Sequence, residues 1–203
     1  MCSGILVVKS RRDHIIAFLL TALIVAVLGN SFWGPANADP AITEIRESYQ
    51  ICRALRTDKV FMRKMYGVYT DLENQDRAIW STSPPSQGMV LEEVVLYGPG
   101  GSTQFAELLE TTPSGDWSKA TEYCYRADGS LAFIFSELRT FYGDARVEDR
   151  LYFDRSGEKI HTIRRIFDLN SGQRLPDGTA NFSDRETRIY LTTVALTNEL
   201  SND

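Results

Sequence analysis

Gly101, Gly129 and Gly157 stand 28 residues apart, and an aromatic residue precedes each by four positions: Tyr97, Tyr125 and Phe153. The local sequences are GPGGS, ADGS and RSGE, each flanked by runs of high strand propensity. A shared period with turn chemistry at one phase implies three consecutive β-hairpins between Met89 and Leu169, a meander of about six strands. The Asp128-Gly129 pair inside YRADGSLAFIF is then the bend of a hairpin. One face of such a sheet can seat a helix, and the other can be solvent-exposed, covered by the C-terminal segment, or the wall of a groove.

Charge tests the register. With Ser156-Gly157 as a two-residue turn, Arg155 faces Glu158, Asp154 faces Lys159, Asp149 faces Arg164 and Glu148 faces Arg165. All four pairs have opposite sign, each worth about 0.2–1 kcal/mol across a sheet. The same count about Asp128-Gly129 sets Tyr125 opposite Ala132, Cys124 opposite Phe133 and Tyr123 opposite Ile134. Cys124 then shares a face with Leu131, Phe133 and Phe135, and Tyr123, Tyr125 and Ile134 occupy the other face.

Before the hairpins, Asp39-Pro40 reads as an N-cap followed by proline at the first helical position. Ile42, Ile45, Tyr49, Cys52 and Leu55 follow as one apolar helical stripe. That stripe places Cys52 against the face that carries Cys124, so the two cysteines are expected to form a disulfide closing a loop of 72 positions. Lys59 to Trp80 fits either a second helix or an early strand, and Ser81 to Gly88 is a loop by composition. The tail FSDRETRIYLTTVALTNEL carries two signals: the capping box Ser183-x-x-Glu186 favours a helix, and Ile189, Thr192, Thr193 and Val194 favour a strand. The expected fold class is α+β: an N-terminal amphipathic helix on an antiparallel meander of about six strands, with a possible C-terminal helix.

The stretch Met1–Ala38 reads as a secretory signal peptide. Lys9, Arg11 and Arg12 precede an apolar run from Ile15 to Leu28, and Ala36-Asn37-Ala38 supplies a small-x-small cleavage site. That run is short for a membrane span, which needs about 20 residues. An uncleaved anchor is the alternative. Cleavage after Ala38 leaves 39–203 as a single domain with no membrane span. It keeps 19 of the 22 basic and 26 of the 27 acidic residues, a formal charge of −7. Such a balance disfavours nucleic acid and anionic membrane surfaces as partners. The expected location is periplasmic or secreted.

The segments EYCYRADGSLAFIFSE and VEDRLYFDRSGEKIHTI, with Glu148, Arg150, Tyr152, Phe153, Asp154 and Gly157, resemble a pattern in uncharacterised secreted bacterial proteins with tandem aromatic/glycine hairpins. The resemblance is confined to the hairpin region. It implies an exported β-sheet and carries no activity.

Chemistry-bearing motifs are scarce. His161, the one histidine after Ala38, lacks a motif partner and is expected to face Tyr152. Asp71 to Asp76 alternates oxygen ligands but lacks the central glycine and closing glutamate of a calcium loop. YGPGGS lacks the Lys-Ser/Thr ending of a phosphate loop. Glu148 and Asp149 point to opposite sheet faces, which separates them as an acid/base pair. Asn181-Phe182-Ser183 is a sequon relevant only to a eukaryotic secretory route. No cofactor or metal is expected. The chain is therefore read as an exported, non-catalytic binding module of the cell envelope, whose partner is an unknown protein or envelope component. The alternative is a carrier of a small apolar ligand in a helix-on-sheet cavity, walled by Tyr123, Tyr125, Ile134 and Phe167. A hydrolase working through carboxylates ranks third.

Overall fold

A computed structural model of the chain describes residues 39–58, 62–69, 78–178 and 185–201. The expected leader, Met1–Ala38, the Asp71–Asp76 segment, Ser183 and the sequon at Asn181 lie outside the described residues. The elements described all fall in the unit Pro40–Asp203.

Helix α1 spans Pro40–Asp58. Ile42, Ile45 and Cys52 are buried, and Tyr49 and Leu55 pack beside them, which is the stripe expected from their spacing. The strands are β1 (Met62–Tyr69), β2 (Ile79–Ser81), β3 (Met89–Tyr97), β4 (Phe105–Thr111), β5 (Trp117–Tyr125), β6 (Leu131–Thr140), β7 (Ala145–Phe153), β8 (Lys159–Asp168) and β9 (Arg174–Leu175). They form one antiparallel sheet in the order β2-β1-β3-β4-β5-β6-β7-β8-β9. Six of these, β3–β8, fall between Met89 and Leu169 as expected, and β1, β2 and β9 extend the sheet to nine strands among the described residues. The ambiguous segment after Lys59 supplies β1, because its Met65 and Val68 find a sheet neighbour to bury them. Helix α2 spans Thr193–Ser201.

Two cores lie on opposite faces. Under α1, which crosses β4, β5 and β6, sit Phe105, Cys124, Phe133 and Tyr152. Cys52 and Cys124 lie at disulfide-bonding distance, with Cα atoms 5.8 Å apart. On the other face Leu96, Leu108, Tyr123, Ile134 and Phe153 meet Tyr190, Leu196 and Leu200 of the C-terminal segment. That segment begins extended, not helical. Lys119 Nζ donates to the carbonyls of Arg185 and Glu186 at 2.7 and 2.8 Å, and Tyr123 Oη donates to the Arg188 carbonyl at 3.1 Å. Ser130 bridges to Thr192, and only then does α2 start, with Thr192 Oγ1 accepting from the Ala195 amide at 3.1 Å. Neither tail signal is met as read: residues 185–190 form no regular element, Thr192 makes a single bridge, and Thr193 and Val194 lie in α2. Glu186 opens no helix.

The two tight turns explain a one-residue departure from the expected register. Gly129 and Gly157 have φ of +82° and +86°, the left-handed region open to glycine. Each donates its amide three residues back, to Arg126 and Asp154. Each is a type I turn ending in a left-handed glycine, which offsets the pairing next to it by one; a bulge that leaves Ala132 and Ile160 unpaired then restores the count. Tyr125 consequently pairs with Leu131, not Ala132, and Phe153 pairs with Lys159 in place of Asp154. Leu131 joins the Tyr123 face, and Ala132 takes the place expected for it beside Cys124. Beyond the bulges Asp149↔Arg164, Glu148↔Arg165, Tyr152↔His161 and Tyr123↔Ile134 stand as counted.

Candidate functional site

Among the described residues, β8 is open along most of one side. Its inner side pairs with β7 from Ala145 to Phe153, whereas β9 meets its outer side only at Ile166 and Phe167. No described strand lies outside Lys159–Arg165. The direction of the main-chain groups follows from the end of the strand. The Asp168 amide donates outward to Gln173 at 2.9 Å, and the next amide, Leu169, donates inward to Asp144 at 2.8 Å. Main-chain groups alternate along an antiparallel strand, so those of Arg164 and Thr162 point outward like those of Asp168.

The charged side chains on this edge carry one sign. Lys159, His161, Arg164 and Arg165 are exposed together with Ile160 and Thr162, and no acid interrupts Lys159–Phe167. β-branched Ile160, Thr162 and Ile163 keep the segment extended without a second neighbour. Arg164 is held by Asp149 through two contacts of 2.8 Å. Arg165 stands opposite Glu148, but Glu148 is bound by Arg146 at 2.6 Å and Arg150 at 3.2 Å. His161 packs on the Tyr152 ring, centroids 5.5 Å apart.

Among the described residues, three glutamate pairs stand directly opposite one another in the sheet: Glu92↔Glu110, Glu107↔Glu122 and Glu137↔Glu148. Opposed like charges destabilise a sheet, and one arginine bridges each pair. Arg188 Nη2 lies 2.7 Å from both Glu92 and Glu110. Arg56 Nη1 lies 3.0 Å from Glu107 and 3.8 Å from Glu122, and Arg146 Nη1 lies 3.2 Å from Glu137 and 2.6 Å from Glu148. Tyrosines add donors: Tyr69 to Glu92 at 2.6 Å, Tyr97 to Glu107 at 2.8 Å and Tyr49 to Glu122. Burial, and then the bond to Glu107, pushes the Tyr97 hydroxyl up to about 12; burial and a glutamate bond likewise raise Tyr49 and Tyr69 further. Burial works against the charge on Arg188, yet its two carboxylates hold it above the ordinary guanidinium range. Each arginine thus ties two neighbouring strands together through their opposed carboxylates, although Glu92 Oε2 stays buried without a hydrogen-bond partner.

A cleft of about 420 Å³ opens between α1 and the β5–β6 turn. Its apolar wall is Ile45, Ile51, Leu55 and Ala132, with Arg126 and Arg155 at the rim. Arg126 is already occupied: it donates to the carbonyls of Leu131 at 2.6 Å and Phe153 at 2.7 Å, tying the two hairpins together. Desolvation lowers its pKa.

The four residues expected to wall a ligand cavity do not share a surface. Tyr123, Tyr125 and Ile134 lie together in the core beneath the C-terminal segment, at most 3% exposed, and of the four Tyr125 also lines the cleft. Phe167 lies on the α1 side of the sheet, under the Arg146 guanidinium at 4.2 Å. The β8 edge went unmarked in the sequence, although KIHTIRRIF, an acid-free run in an acidic chain, was the available signal. Among the described residues no helix is long and apolar enough to cross a membrane, and no three His, Cys, Asp or Glu side chains group as metal ligands. No protein-family model matches the chain, and no curated protein or solved structure gives a significant match.

Proposed function

We propose that the chain is an exported, non-catalytic binding module of the cell envelope that engages a macromolecular partner through the outer edge of β8. The observation that carries this is the stretch Lys159–Arg165, extended and largely exposed, with a strand on one side only among the described residues. An open edge offers main-chain donors and acceptors that a partner strand satisfies, and alternate side chains that choose among partners. The hairpin-region resemblance to secreted bacterial proteins and the close approach of Cys52 to Cys124 support export to an oxidising compartment. The cleft supports a second reading, carriage of a small apolar ligand, because its volume falls in the range of ligand pockets.

A photo-cross-linker at Ile160, on the edge, is compared with one at Ile51, 70% exposed at the cleft. In the exporting host the Ile160 position should capture a macromolecule and the Ile51 position should not. Capture from Ile51 alone sinks the edge assignment. A small adduct in the native mass that leaves on denaturation, its site mapped to the cleft, establishes the carrier instead.

A further inference from the structure

We infer that the β8 edge takes an extended peptide segment bearing carboxylates at alternate positions about an apolar residue, in the pattern acid-x-apolar-x-acid. This rests on the edge being the binding surface and adds the chemistry of what binds there. Past the bulge, His161, Ile163 and Arg165 face the α1 side, in line with Tyr152, Arg150 and Glu148 of β7. A strand laid outside β8 has its own side chains directly across from these three. Its central residue meets Ile163, which is half-buried and packs against the α1-side core. Its two flanking residues meet His161 and Arg165.

Charge decides what those flanking residues are. Arg165 makes no ion pair among the described residues, because Glu148 opposite it is taken by Arg146 and Arg150. Arg150 Nη1 is buried without a hydrogen-bond partner, one strand further in on the same sheet face. Arg46 lies 5.7 Å over the Tyr152 ring beside His161. The surroundings of the edge on this side are therefore cationic, with Glu148 already satisfied. On the other side Arg164 is held by Asp149, and Lys159 adds a further cation. A second copy of the same strand does not fit. Antiparallel pairing centred on Thr162 sets Lys159 against Arg165, and every register brings two cationic strands to about 4.8 Å. Lysine and arginine on an open edge deter self-association, and the same charges admit a strand of opposite sign.

The test uses isotopically labelled protein and two blocked peptides, Glu-Thr-Val-Thr-Glu and Lys-Thr-Val-Thr-Lys, at about millimolar concentration in low salt. The acidic peptide should slow hydrogen exchange at the Thr162 and Arg164 amides, whose groups point outward, and leave the inward-bonded Ile163 amide unchanged. The lysine peptide should do neither. Thr162→Pro removes one outward donor and spares the bonds to β7, so it should abolish the effect without lowering the unfolding midpoint much. Arg165→Glu should weaken the acidic peptide by about tenfold. Equal protection by both peptides overturns the assignment of an acidic partner and leaves the edge as a binding surface. So does absence of protection while Ile160 still cross-links in the host and Thr162→Pro abolishes that cross-link. Peptide shifts confined to Ile51 and Ala132 overturn the acidic assignment and the edge together.

Discussion

Arg188→Ala would leave Glu92 and Glu110 facing each other across β3 and β4 with no cation between them. Their side chains are only 9% and 14% exposed, so water does little to separate the two charges. Removing one partner of a buried ion pair costs about 3–5 kcal/mol. The Arg188 side chain is 34% exposed, so solvent screening trims the loss to about 2–3 kcal/mol. For a domain of this size that is a fall in midpoint of about 5–10 °C. Urea unfolding followed by circular dichroism at pH 7 reads the free energy directly. The decisive comparison is the double variant Arg188→Ala/Glu110→Gln. If the loss comes from opposed charge, deleting one carboxylate should return about 1 kcal/mol, and the variants couple with a compensating sign. A single variant within about 0.5 kcal/mol of the parent, the range ordinary surface changes occupy, refutes the bridge. A double variant less stable than the single one refutes the repulsion.

Further outcomes are expected. Replacing Cys52 and Cys124 together with alanine should lower stability by about 2–5 kcal/mol in chemical denaturation, and an unchanged midpoint would show that no bond holds α1 to β5. Gly129→Ala and Gly157→Ala should each cost about 1–2 kcal/mol for their positive φ. Gly129→Ala should cost more, since a Cβ there meets Thr193 Oγ1 at 2.8 Å, against 3.5 Å to Leu191 at Gly157; the reverse order in thermal melts counts against the packing of the tail on that turn. The turn residues Asp128 and Asp154 are held below the usual carboxylate range by the hydroxyls of Ser130 and Ser156, and Asp168 by the Ser171 amide. A depressed folded pKa adds stability that is present above the unfolded value near 4 and lost as pH falls through the folded value. The melting midpoint should therefore drop on acidification below about pH 4, with a shallower slope in Asp154→Asn. Tyr97 behaves oppositely: raised to about 12, it contributes stability that is complete below the unfolded value near 10 and lost as pH rises through the folded one, so Tyr97→Phe should flatten the alkaline limb.

Local periodicity made α1 and three hairpins legible, because a helical stripe and a glycine turn both state their geometry within a few residues. It even carried most of the β7–β8 register, through Asp149, Arg164, Glu148 and Arg165. What it missed is a property of turn type. Counting Ser156-Gly157 as a two-residue bend ignores the extra residue in each glycine turn and the bulges at Ala132 and Ile160 that absorb it, so only the pairs next to the turns are one position out. The cover on Tyr123 was illegible for another reason. It comes from Arg188 and the residues after it, far along the chain, and no pattern within the tail announces which face it will strap. The opposed glutamates were hidden likewise, since each pair belongs to two strands and its arginine, for Glu107/Glu122 and Glu92/Glu110, to a third element or segment.

The order in which the molecule is built has its own consequence. Along the line of described strands, every pairing but that of β1 with β3 joins chain neighbours. Such pairing can proceed by short closures and is fast. Among the described residues, the face bearing Leu96, Leu108, Tyr123 and Ile134 gains its C-terminal cover from Tyr190, Leu196 and Leu200. Leu175 ends β9, so the stretch from Pro176 to Leu200 separates a finished sheet from its last covering leucine. A chain that reaches its folding compartment N-terminus first delivers that stretch last. Until it arrives, a paired sheet presents an apolar side that a chaperone can bind.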